Sequence, residues 1–118
     1  MKSAPAVKAV SEAVKRYAFP VLAVIFKNNG LQPNQSITIM DSFEHMCSTI
    51  KILNFSKNTL GVQGGMHLSN MLSQMKALKE LYLEDSQLGD KGTRYVIEKL
   101  DENNIALEVL DLSGNLIG

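Results

Sequence analysis

His45 and Cys47 stand two residues apart, with Asp41 and Glu44 just before them and His67 further along. These are the residue types that ligate metals or serve as nucleophiles. A zinc site needs three or four converging side chains. Here only two strong ligands are neighbours, without CxxC or HxxxH spacing. The segment reads as the end of a helix, where histidine suits the negative terminus and cysteine packs as a small apolar residue. The stretch GVQGG (Gly61–Gly65) suggests a phosphate loop, but it lacks the GxxxxGK[ST] lysine, so tight turns explain its glycines better. The expectation is a chain with no metal, no cofactor and no catalytic residue of its own.

Bulk properties point the same way. The 118 residues suit one domain with a modest core. Net charge is zero, so nothing global favours nucleic acid or an anionic membrane. The zero conceals a polarity. Residues 1–59 hold 7 Lys/Arg against 3 Asp/Glu, a net of +4, and residues 60–118 hold 5 against 9, a net of −4. The single cysteine cannot form an internal disulfide, which makes a reducing, cytoplasmic setting the default. The longest apolar run, residues 18–26, is interrupted by a proline and falls well short of the ~20 residues a bilayer requires. No secretory leader pattern opens the chain.

The elements that would position any site emerge from a repeat. VLAVIFKNNGLQ (Val21–Gln32), IKILNFSKNTLG (Ile50–Gly61), LKELYLEDSQLG (Leu78–Gly89) and LEVLDLSGNLIG (Leu107–Gly118) share one pattern: apolar-x-x-apolar-x-apolar-x-x-Asn-x-apolar. The apolar slots hold Val21, Val24, Phe26, Leu31; Ile50, Leu53, Phe55, Leu60; Leu78, Leu81, Leu83, Leu88; and Leu107, Leu110, Leu112, Ile117. The asparagine slot holds Asn29, Asn58, Ser86 and Asn115. In a chain that is 45% apolar, filling all sixteen apolar slots by chance has a probability of roughly 3 in a million, so the period is real.

Each apolar-x-apolar pair turns one side of a short strand inward. The spacing then becomes helical, with Ile39/Phe43, Leu68/Leu72 and Val96/Leu100 four apart at equivalent positions. Strand, turn, helix and return imply parallel strands covered by helices on one side. The asparagine amide, with two donors and an acceptor, can satisfy loop backbone that stacking removes from water; Ser86 should tie its turn less well. Subtracting 29 from Ile39 and Phe43 gives Val10 and Val14, so residues 6–18, with Val7 and Tyr17 on the same stripe, read as the helical half of a preceding repeat.

This pattern resembles the leucine-rich repeat, and the 28- and 29-residue spacings are similar to its ribonuclease-inhibitor-like subclass. The resemblance implies an α/β solenoid, a horseshoe segment with a parallel β-sheet on the concave face and helices on the convex face. The expected layout is a single domain over 1–118: a helical half-repeat at 1–20, then repeats starting at 21, 50, 78 and 107, the last incomplete. Solenoids need polar end caps. The chain stops just after the fourth turn, so it reads as a fragment of a longer protein, or as a chain whose open ends pair into a homo-oligomer.

Function is then expected on the outward strand positions. Alternation gives three rows: Ala23, Ile52, Glu80, Val109; Ile25, Asn54, Tyr82, Asp111; and Lys27, Ser56, Glu84, Ser113, with Asn28, Lys57, Asp85 and Gly114 beside the last. Row members should lie roughly 4.8 Å apart. The candidates for binding a folded protein partner with a basic surface are Ile25, Lys27, Ile52, Asn54, Glu80, Tyr82, Glu84, Asp85 and Asp111. The resemblance also implies a different class, a GTPase activator of the Ran-activator type acting on its partner's nucleotide. Its arginine requirement is poorly met, because Arg16 and Arg94 both fall on predicted helices. A purely structural solenoid segment is the third reading. Leu81→Asp and Leu110→Asp should each place an unpaired charge in the stacked core.

Overall fold

The computed structural model describes residues 4–16 and 21–115. Tyr17, Ile117 and the two ends of the chain, on which some sequence expectations fall, lie outside them. The elements run α1 (Ala4–Arg16), β1 (Ala23–Ile25), α2 (Pro33–Ser42), a 3-10 helix (Glu44–Thr49), β2 (Ile52–Asn54), α3 (Gly61–Leu72), β3 (Glu80–Tyr82), α4 (Gly89–Glu102) and β4 (Val109–Asp111). The strands form one parallel sheet in the order β1-β2-β3-β4. Each apolar-x-apolar pair thus begins inside a three-residue strand and ends just beyond it.

Three residues per strand would be a weak ladder alone. Bonding continues at both ends: Lys51 N–H donates to Leu22 O (2.7 Å), and Phe26, Asn28, Lys57 and Asp85 donate to Asn54, Ser56, Glu84 and Ser113 at 2.8–2.9 Å. The inward residues Val24, Leu53 and Leu81 are buried, as are Ile50, Phe55, Leu60, Leu78, Leu83 and Leu88. The helix positions Ile39, Phe43, Leu68, Leu72, Val96 and Leu100 are buried against them, although Phe43 lies just past the end of α2. Phe26 stacks on Phe55 with centroids 5.7 Å apart and meets Phe43 edge-on. Val7 is buried, and Val10 and Val14 pack against the same core, so α1 sits where the repeat phase puts it. Among the described residues no helix is long and apolar enough to cross a membrane.

Leu110 departs from expectation. It is 43% exposed, whereas its equivalents Val24, Leu53 and Leu81 are at most 3% exposed. After β1, β2 and β3 a helix folds back over the inward residue; no helix follows β4 among the described residues. Leu110 instead lines an open cleft of about 560 Å³ with Ile97, Leu100, Ile105 and Leu107.

The turns carry a second network. Asn58 Oδ1 accepts from Asn29 N and Leu31 N, both at 3.1 Å, and its Nδ2 donates to Phe26 O (2.7 Å), Phe55 O (3.1 Å) and Ser56 O (3.3 Å). Asn115 repeats this one step on: it accepts from Ser86 N and Leu88 N and donates to Leu83 O, Leu112 O and Ser113 O. Each asparagine therefore staples its own turn to the one before. Ser86 manages two long contacts, to Phe55 O (3.4 Å) and Glu84 O (3.3 Å), and Leu60 N turns to the Ser86 backbone carbonyl instead. Asn29, with no earlier described strand to grip, makes only a 3.3 Å bond to Lys27 O.

α3 and α4 approach closely through glycines. A Cβ on Gly65 would stand 3.2 Å from the Gly92 Cα, and one on Gly92 would stand 3.5 Å from the Val62 Cα. A side chain on either helix face would hold the pair apart.

Candidate functional site

The sheet face turned away from the helices brings the predicted rows together. Ala23 pairs with Ile52, Ile52 with Glu80, and Glu80 with Val109; Ile25 pairs with Asn54, Asn54 with Tyr82, and Tyr82 with Asp111. Ile25 is 63% exposed, Lys27 and Asp85 are exposed, and Ile52, Asn54, Glu80, Tyr82, Glu84 and Asp111 are partly exposed. An apolar start on β1 thus gives way to a tyrosine among carboxylates on β3 and β4.

Local bonding orders these side chains. The Tyr82 hydroxyl donates to Glu80 Oε1 at 2.5 Å along one strand face. That bond, then desolvation and the negative charges of Glu80 and Asp111, push the phenol above the ordinary tyrosine range. Asp111 Oδ1 accepts from both the Ser113 hydroxyl (2.6 Å) and the Ser113 N–H (3.0 Å). Those two bonds, aided by the positive charge of Lys27, hold its carboxyl below the usual range against a small opposing effect of desolvation. Lys57 Nζ approaches Glu84 at 3.9 Å, an exposed pair of little energetic weight.

Some predicted binding residues also serve the backbone. Asn54 Oδ1 accepts from Ser56 N at 2.9 Å, the same bond to residue i+2 that Asp111 makes. Both close the strand with an Asx turn. Asn28, Lys57, Asp85 and Gly114 occupy one equivalent position and all have positive φ, from 49° to 72°. At Gly114 a Cβ would fall on the Asp85 carboxylate, which would have to swing aside. The Asp85 side chain therefore leans over the next turn instead of standing free.

Ser56 corrects the third row. It is only 2% exposed, because its hydroxyl accepts the Glu84 N–H at 2.9 Å and is drawn into the ladder between strands. Sequence reasoning placed Ser113 in a row but missed that it fixes the Asp111 carboxylate. The signal was available: an Asp or Asn followed two residues later by serine, twice at the same repeat position.

The other candidates are structural. Cys47 is 2% exposed in the core; burial pushes its thiol up, and Sγ contacts Glu44 O and Gln74 Oε1. His67 Nε2 lies 2.7 Å from Asp41 Oδ1, an ion-pair distance without hydrogen-bond alignment, and links α3 to α2. The described residues contain no group of three or more His, Cys, Asp or Glu able to hold a metal. Arg16 and Arg94 are exposed on α1 and α4, away from the strand rows.

Comparison with known proteins adds three findings. A family model for the Leucine Rich repeat matches residues 47–69. RAN GTPase-activating protein 2 of Arabidopsis thaliana is 32% identical over 88 residues, which is 75% of this chain but 16% of that protein. Among solved structures, Leiomodin-1 Actin-Binding Site 2 superimposes with a TM-score of 0.73 at 17% identity, over 92% of this chain and 62% of the other. At that identity the last likeness speaks for the fold alone.

Proposed function

The chain belongs to the leucine-rich repeat proteins, and from that premise we propose that it is a protein-interaction module of the ribonuclease-inhibitor-like subclass, binding a folded partner through the uncovered sheet face. The observation that carries this reading is the in-register row Ile25, Asn54, Tyr82, Asp111 flanked by Glu80. These side chains are not used in the core, and they present an aromatic anchor ringed by carboxylates. An interface centred on tyrosine with a charged surround suits a partner bearing lysine or arginine. A broad open face suits a folded protein better than a small ligand, which favours an enclosed pocket.

The test is capture of partners from cytosol at two salt concentrations by the wild-type chain and by Glu80→Lys/Tyr82→Ala/Glu84→Lys. A Glu98→Lys/Asp101→Lys variant on α4 serves as control. A partner that weakens with salt, disappears with the triple variant and survives the control supports the sheet face. A partner indifferent to the triple variant refutes it.

The likeness to a Ran GTPase activator motivates a second reading, in which the partner is a small GTPase and the chain forms part of an activating surface. The chain spans only 16% of that relative, and its two arginines lie on helices. GTP hydrolysis by Ran with and without the chain discriminates the readings. An unchanged rate leaves binding without activation.

A further inference from the structure

At the edge where the strands begin, away from the Tyr82 row, three lysines converge on a cleft of about 420 Å³. Lys51 and Lys79 occupy the same repeat position in successive turns, and Lys79 N–H donates to Lys51 O at 2.8 Å. Their backbones are therefore adjacent in the ladder. Lys76, from the return after α3, lines the same cleft, with Asn103 and Asn104 from the return after α4 opposite and Ala77 and Ala106 leaving room between.

We propose that this cleft is an anion site for a ligand carrying two or more phosphate groups. No Asp or Glu is among the residues that line it. Elsewhere three lysines have carboxylates: Lys57 meets Glu84, Lys99 meets Glu102, and Lys27 acts on Asp111. Among the described residues Lys51, Lys76 and Lys79 have no ion pair. Like charges placed opposite each other on neighbouring strands repel. Glu108, beside Lys79 in the same ladder, offsets part of that repulsion, and a dianion between Lys51 and Lys79 removes the rest.

The C-terminal ends of α3 and α4 face this edge and their dipoles disfavour an anion, so the three lysines must outweigh them. Part of that negative end is engaged by backbone donors, with Gln74 N on Met71 O, Met75 N on Leu72 O, Asn104 N on Asp101 O and Ile105 N on Leu100 O. Lysines act as mobile point charges toward phosphate, and the Asn104 amide lines the same cleft with a donor for a phosphate oxygen. The volume lies within the ~300–1,000 Å³ range of small-ligand sites. The site is independent of the sheet-face reading and stands or falls without it.

The test is calorimetric titration of the full chain with pyrophosphate, and flotation with phosphatidylcholine vesicles with and without phosphatidylinositol bisphosphate. Lys51→Gln/Lys79→Gln is the site variant. Lys8→Gln/Lys15→Gln on α1 makes the same charge change elsewhere, and unchanged melting of both variants shows intact folding. The expected result is saturable pyrophosphate binding weakened at least ~10-fold by the site variant and less than ~2-fold by the control. Flotation that follows the same ranking identifies a lipid headgroup as the source, and titration without flotation identifies a soluble phosphate. Equal loss in both variants, or no saturation up to millimolar pyrophosphate, overturns the proposal.

Discussion

Asn58→Ala should cost far more than Asn29→Ala, although the two asparagines fill the same slot of consecutive repeats. Removing the Asn58 amide takes the acceptor from two backbone donors, Asn29 N and Leu31 N, and the donor from three carbonyls. Two of those carbonyls keep other partners: Ser56 O still accepts from Asn28 N, and Phe55 O from the Ser86 hydroxyl. Three groups are left without their bond: Asn29 N, Leu31 N and Phe26 O. Only Leu31 is fully buried among them. At ~1–3 kcal/mol for each buried orphan and less for the half-exposed pair, the total is about 3–5 kcal/mol. Asn29→Ala loses one exposed bond and should cost under ~0.5 kcal/mol. Urea unfolding followed by circular dichroism resolves the difference. With m near ~1.5 kcal/mol/M, Asn58→Ala should shift the midpoint by about 2–3 M and Asn29→Ala by less than ~0.4 M. Equal shifts would sink the argument that each asparagine staples the preceding turn.

Three further outcomes follow from the same geometry. Leu81→Asp should abolish cooperative folding, because it puts a charge at a site with no exposure, while Leu110→Asp, 43% exposed, should cost less than ~1 kcal/mol in the same urea assay. The Tyr82 phenolate should appear, by ultraviolet difference absorbance, above the ordinary tyrosine midpoint, and Glu80→Gln should bring it down. Because the folded form holds that proton more tightly than the unfolded chain, the contribution to stability is intact below pH ~10 and falls as pH rises further. Gly65→Val should destabilise by about 2–4 kcal/mol, since its side chain meets the Gly92 backbone, and a melting temperature within ~2 °C of wild type would contradict that contact.

Periodicity made the fold legible. Apolar slots with one phase are enough to place the strands and the helix faces, because stacking forces equivalent residues into equivalent burial. The same logic misplaced Leu110, since a slot predicts burial only where a neighbouring element exists to supply it. The rows of the sheet face followed from alternation, but alternation ends with the three-residue strands. Ser56 lies beyond that limit, where hydrogen bonding decides direction. Lys57 gives no composition signal for its positive φ, whereas Asn28, Asp85 and Gly114 do. The lysine cleft was visible as a column one residue ahead of the strands (Leu22, Lys51, Lys79, Glu108), but the convergence of Lys76 and Asn104 on it depends on how the return loops fold.

The glycine contact between α3 and α4 has a consequence for overall shape. Adjacent strands are held about 4.8 Å apart while packed helices ordinarily keep 8–10 Å, and that mismatch bends a solenoid into an arc. With the two layers ~10 Å apart, a helix spacing of ~9 Å bends each repeat by roughly 24°, and one of ~8 Å by only about 18°. Gly65 and Gly92 bring the backbones together behind β2 and β3, which favours the shorter spacing and the smaller bend at that pair. A smaller bend beneath Asn54 and Tyr82 lets a gently convex body rest against both strands at once.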